Sequence, residues 1–147
     1  MSTPFRLRVP SIILEQMLTQ ARLEYPRECC GLLAGQVVET ADPVQRIGQV
    51  AQCHPIVNAA EHPEKEYFSD PKSLFVAVRA MRGLGQDILA IYHSHPTSDP
   101  IPSRTDCAQN YYPDTVHLII SLKGTEPVVR GWWIDEDRFH EAVWECS

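Results

Sequence analysis

The chain has 147 residues, of which 44% are apolar and 22% charged, with a net charge of −6; that length and balance fit one globular domain spanning residues 1–147 with one core. The acidic balance and scattered basic residues argue against nucleic-acid binding, which draws most of its affinity from phosphate neutralisation. No apolar run approaches the eighteen or so residues of a membrane span, so no membrane association is expected and a cytoplasmic location is.

Residues 1–10 carry two arginines and no apolar stretch of the signal-peptide type. After Pro10, Ile13, Leu14, Met17, Leu18 and Ala21 recur at helical spacing, with Ser11 near the start and Pro26 just beyond the end. Leu32, Leu33 and Ala34 form a short apolar run ending at Gly35, which predicts a strand. Residues 44–57 mix valine, isoleucine and polar residues without proline until Pro55, and predict a second strand. The polar stretch 58–69, which contains Pro63, reads as a loop. A second helix follows: Asp70 caps it, and Pro71 occupies its first turn, where a missing N–H costs nothing. Leu74, Ala77, Val78 and Met81 give it one apolar stripe, and Gly83 and Gly85 end it.

Residues 88–92 are five consecutive apolar residues without alternation, the pattern of a strand covered on both faces, and they lead directly into His93. A proline-rich loop, 96–102, precedes a predicted short helix at 103–110. Three further strands are predicted at 116–121, 128–134 and 139–144, with turns at Gly124 and Asp135-Glu136-Asp137. The order implies an α/β domain with a mixed sheet packed between two main helices.

The chemistry concentrates at the end of the buried strand, in His93-Ser94-His95-Pro96. Side chains at i and i+2 of a strand share a face, so two imidazoles spaced this way can grip one ion. Seven residues separate His95 from Ser103-Arg104-Thr105-Asp106. Two neutral imidazoles and a carboxylate suit Zn²⁺ and leave its fourth position open, the mark of a catalytic rather than a structural site. The same serine-to-aspartate string is equally a capping box with Ser103 as N-cap, a role that needs no metal. On local sequence alone Glu28 is an ordinary surface glutamate after a helix.

Five cysteines, Cys29, Cys30, Cys53, Cys107 and Cys146, show neither a disulfide framework nor a C-x-x-C pair. At least one of Cys29 and Cys30 reads as a buried structural cysteine, Cys107 as a packing residue and His117 as a core histidine. Trp132, Trp133 and Trp144 read as core or sheet-face residues.

The string H-S-H-P, six residues, S-x-x-D resembles the signature of the JAMM/MPN+ (JAB-type) zinc metalloproteases. Pro26-Arg27-Glu28-Cys29-Cys30-Gly31-Leu32-Leu33 is similar to the family's upstream segment that bears an essential glutamate. The resemblance runs from about residue 6 to 145 and is strongest at 26–35 and 87–106. It implies the JAB/MPN fold, with a curved mixed sheet between two main helices and a short helix beside the zinc site. It implies His93, His95 and Asp106 as zinc ligands, and Glu28 as the general base that takes a proton from zinc-activated water and passes it to the leaving amine. It implies Ser103 as an oxyanion donor; Ser94 carries no assigned role.

Larger family members that cut ubiquitin chains carry long insertions, for which this chain has no room. It resembles instead the compact prokaryotic members of the CysO-cysteine peptidase type. The implied partner is a ubiquitin-fold sulfur carrier, like ThiS, MoaD or CysO, cleaved after its C-terminal Gly-Gly. Two other readings stay open: a non-catalytic MPN scaffold for protein assembly, and a RadC-like protein.

Overall fold

The computed structural model describes residues 4–108, 112 and 114–147. Its elements in chain order are β1 (Arg6–Val9), α1 (Ser11–Glu24), β2 (Cys30–Thr40), β3 (Gln45–Ile56), α2 (Pro71–Gly83), β4 (Asp87–His95), α3 (Arg104–Ala108), β5 (Val116–Ser121), β6 (Val128–Asp135), β7 (Arg138–Glu141) and β8 (Trp144–Cys146). All eight strands join one mixed sheet in the order β7-β6-β5-β4-β2-β3-β1-β8. β4 runs parallel to β5 and antiparallel to β2, so the histidine-bearing strand lies in the middle of the sheet.

The two long helices cover opposite faces because consecutive strand residues point to opposite sides. Leu33 joins the cluster that buries Ile13, Met17 and Ala21 of α1, while Leu32 joins the one that buries Ala77 and Met81 of α2. Each leucine, isoleucine or methionine among them, removed from water, stabilises the fold by roughly 1.5–3 kcal/mol. α2 begins as its sequence predicts, with the Asp70 carboxylate accepting from Ser73 N–H at 2.9 Å. It ends at Gly83, and just past its C-cap Leu84, Gly85 takes a φ of +68° that suits a residue without Cβ. Helix α1 begins after Pro10 with no side-chain cap; Ser11 is its first residue.

Eight strands about 4.8 Å apart would put the edges of a flat sheet roughly 34 Å apart. Yet β7 and β8, its two edges, are joined by Ala142 and Val143 alone. The sheet therefore curls until its edges nearly meet. Ala142 N–H donates to Gly131 O at 2.8 Å on one side of the gap, and Leu7 N–H donates to Val143 O at 3.1 Å on the other.

This closure explains where the fold departs from the local pattern. The single strand expected at 139–144 is two strands, because the chain leaves β6 at Ala142 and crosses to β1. β1 has no counterpart in the sequence reading. Its four residues alternate in burial, and its partners, β3 and β8, are distant in sequence. β2 continues past Gly35 to Thr40 as a largely exposed hairpin arm paired with β3. Pro55 is tolerated in β3 because β1 pairs only at Ile47, Gly48 and Gln49, so no neighbour needs the missing N–H. The short helix expected at 103–110 is observed as Arg104–Ala108; Asn110 lies outside the described residues. No helix among the described residues is long and apolar enough to cross a membrane.

Candidate functional site

β4 delivers His93 and His95 to one face, and the loop 96–102 returns the chain so that α3 sets Asp106 against them. His93 Nε2 lies 3.2 Å from His95 Nε2 and 3.2 Å from Asp106 Oδ1, and His95 Nε2 lies 3.1 Å from Asp106 Oδ2. Ligands 2.0–2.1 Å from a tetrahedral centre would stand about 3.3 Å apart. The three side chains form a cluster able to hold a metal ion.

The donor chemistry fits as well as the spacing. His95 Nδ1 lies 2.7 Å from Asp99 O, an atom that can only accept, so Nδ1 carries the proton. The Nε2 lone pair then faces the other two side chains, and the carbonyl stands where metal-bound histidines commonly have an outer partner. Electron-rich atoms this close repel one another unless a proton or a cation lies among them.

The loop that supplies Asp99 is tied down along its length. Ser121 Oγ–H donates to Ser98 O at 2.7 Å, Trp132 Nε1–H to Pro100 O at 2.9 Å, and Leu122 N–H to His95 O at 3.1 Å. Trp132 is a buried sheet residue, as the sequence reading has it, and also anchors this loop. Ser103 and Asp106 form a reciprocal box at the start of α3: Ser103 N–H donates to Asp106 Oδ2 at 2.8 Å, and Asp106 N–H donates to Ser103 Oγ at 3.0 Å. A hydroxyl that accepts from a backbone N–H keeps its own proton to give, so capping and donation to a substrate are compatible.

Glu28 sits just before β2 and is 5% exposed. Its Oε1 is buried without a hydrogen-bond partner among the described residues. Burial pushes its carboxyl up to about 7; His93 and His95 pull it down, and Asp106 and Glu66 raise it, which places it within electrostatic reach of the cluster. Burial also works against the Asp106 carboxylate. His93, the hydrogen bonds from both imidazoles and the Ser103 N–H overcome it and hold Asp106 well below the usual range. Burial opposes a charged His95 too, yet the Asp106 and Asp99 hydrogen bonds raise its pKa.

Three features of the site had no signal in local sequence. Ser94, wholly buried between the histidines, accepts from Cys29 N–H through its Oγ at 2.8 Å, and its own N–H donates to Cys29 O at 3.1 Å. It fastens the segment next to Glu28 onto the strand that carries the two histidines. Tyr67 stacks on His93 with ring centroids 4.6 Å apart. Gly31 leaves room for Tyr92: a Cβ there would lie 2.2 Å from the phenol ring. Tyr92 O–H donates to Gln20 at 2.5 Å, and Gln20 Nε2 donates to Cys30 O at 2.9 Å, tying α1, β2 and β4 together beside the site.

Cys29, Cys30, Cys107 and His117 do not belong to the cluster. Cys29 and Cys30 are fully buried, and burial pushes the Cys29 thiol up to about 12, which leaves it no thiolate character at neutral pH. Cys107 packs against Ile119, Trp132 and Ile134. His117 is buried, and that burial, with His93 nearby, lowers its pKa to about 4.

Comparison with known proteins bears on the family. The family model described as prokaryotic homologs of the JAB domain matches residues 10–135. The chain belongs to this family. Among JAB relatives, a protein of Haloferax volcanii named desampylase is 35% identical over 140 residues, covering 92% of this chain and 94% of the relative. The CysO-cysteine peptidase of Mycobacterium tuberculosis is 30% identical over 121 residues, covering 82% of this chain and 77% of the relative. The solution structure of a Desulfitobacterium hafniense protein superposes with a TM-score of 0.81 at 30% identity, covering 96% of this chain and 92% of that one.

Proposed function

We propose that this JAB chain is a zinc-dependent peptidase or isopeptidase acting as one domain, residues 1–147. It hydrolyses the bond after the C-terminal Gly-Gly of a small ubiquitin-like or sulfur-carrier protein. The observation that carries the reading is the convergence of two imidazole Nε2 atoms and a carboxylate, 3.1–3.2 Å apart, within electrostatic reach of a buried carboxylate oxygen that has no hydrogen-bond partner among the described residues. The relatives named desampylase and CysO-cysteine peptidase support the substrate class.

His93, His95 and Asp106 would hold the ion. When bound, Zn²⁺ supplies Lewis acidity at the scissile carbonyl and lowers the pKa of water towards about 7. Glu28 is the general base: its carboxylate takes a proton from the attacking water and later gives it to the leaving amine. Burial suits it to both tasks, because a carboxyl with a raised pKa holds and releases a proton near neutrality. Ser103 donates its hydroxyl proton to the oxyanion of the tetrahedral intermediate while its oxygen still caps α3. Asp106 stays ionised and Asp99 O keeps His95 in the right tautomer.

The test is metal analysis paired with cleavage of a ubiquitin-fold carrier extended by one amino acid after its diglycine. Stoichiometric zinc and release of that amino acid are expected. Full zinc occupancy without cleavage of any diglycine conjugate, peptide- or isopeptide-linked, would overturn the proposal and favour a scaffold.

A further inference from the structure

We propose that Asn58 is the positioning residue for the general base, an inference that rests on Glu28 having that role. Residues 26–29 precede β2 and belong to no strand or helix. A carboxylate buried there gains by swinging out to water unless its backbone is held. The backbone of Glu28 is held at both polar atoms by the 58–69 loop: its N–H donates to Pro63 O at 2.7 Å, and its carbonyl accepts from Asn58 Nδ2 at 2.9 Å.

That loop is organised around one carboxamide. Asn58 Nδ2 also reaches Glu66 O at 3.1 Å and, more weakly, Pro63 O at 3.4 Å. Asn58 Oδ1 accepts from Ala60 N–H at 2.9 Å and Phe68 N–H at 3.1 Å. Every partner of the nitrogen is a carbonyl and every partner of the oxygen is an N–H, so the orientation of the amide is unambiguous. Glu66 and Phe68 flank Tyr67, whose ring lies on His93. The same amide thus fixes the base from one side and the aromatic cover of a ligand from the other.

No other side chain does this at equal size. Aspartate would set a carboxylate oxygen against three carbonyls, and alanine would strand the carbonyls of Glu28 and Glu66 without their donor. The chain's backbone could satisfy those groups only by rearranging the loop, which moves Glu28.

Zinc-loaded Asn58→Ala and Asn58→Asp proteins, assayed on the amino-acid-extended carrier, test the idea. The expected result is full zinc content, kcat lowered by about 10²-fold and KM changed by less than about threefold, as for a misplaced catalytic group. In a Glu28→Gln background, Asn58→Ala should add less than about threefold further loss, since it has no base left to misplace. Multiplying losses, or a fall in zinc content, would overturn the proposal. If Glu28→Gln alone turns over like the parent chain, the base assignment fails and the positioning role falls with it. If Glu28→Gln is inactive but Asn58→Ala keeps its kcat, only the positioning role fails. Hydrogen exchange on the parent chain covers variants that do not fold. The Glu28 amide and the Asn58 side-chain amide should be protected, and free-peptide exchange rates at both would overturn the proposal.

Discussion

The two halves of the site are held in opposite ways. The proposed ligand half, His93, His95 and Asp106, comes from a stretch of fourteen residues, and its side chains are oriented by one another and by Asp99 O and Ser103 N–H. The Glu28 half comes from a distant part of the sequence, and its grip is on the backbone: Pro63, Asn58 and Ser94 hold the peptides at Glu28 and Cys29, while the Glu28 Oε1 atom has no hydrogen-bond partner among the described residues. A ligand must be fixed at its donor atom, since an ion tolerates little error in distance. A base that moves protons is better fixed at its root, with a carboxylate oxygen left open for the proton it carries.

That contrast can be broken at several points. The largest effect is expected for His95→Ala, which removes a vertex of the cluster; metal content and turnover should disappear together, read by elemental analysis and cleavage assay. Glu28→Gln should separate the two, keeping zinc while turnover falls by about 10²–10⁴-fold, the usual worth of a general acid–base group. Equal loss of zinc in both variants would erase the distinction between the halves.

A third measurement uses pH and the metal-free protein. The folded Glu28 pKa lies above the unfolded value, at about 7 against 4.5, so the folded state binds the extra proton between those limits. Its contribution to stability is complete below about pH 4.5 and is lost as pH rises through about 7. Glutamine mimics the protonated form at every pH. Metal-free Glu28→Gln should therefore match the parent chain near pH 4.5 and exceed it at pH 8 by on the order of 3 kcal/mol. The opposing contributions of His117, whose folded pKa is lowered, and Asp106 are common to both proteins. Equal denaturation midpoints for the two chains at pH 8 would contradict a desolvated carboxyl at Glu28.

The smallest effect is expected at Ser94. Ser94→Ala leaves the buried Cys29 N–H without its acceptor, costing about 1–3 kcal/mol in chemical denaturation while zinc binding persists. Unchanged stability would mean that the grip on this segment lies wholly with the 58–69 loop.

Sequence by itself determined the ligand half. The i, i+2 pair at His93 and His95 needs only an extended backbone to share a face, and the box from Ser103 to Asp106 needs only one helical turn. Both helices were legible for the same reason, since 3.6-residue periodicity and the Asp70-Pro71 start are local physics. Tertiary structure alone decided the rest. Ser94 meets Cys29 across 65 residues of sequence, and Asn58 meets Glu28 across 30. The split of the last predicted strand depends on a curled sheet bringing β6 and β1 to either side of Ala142 and Val143. These contacts join backbone groups to small polar side chains, which leave no periodic trace. They exist only once the sheet has closed and the loops have been brought against it.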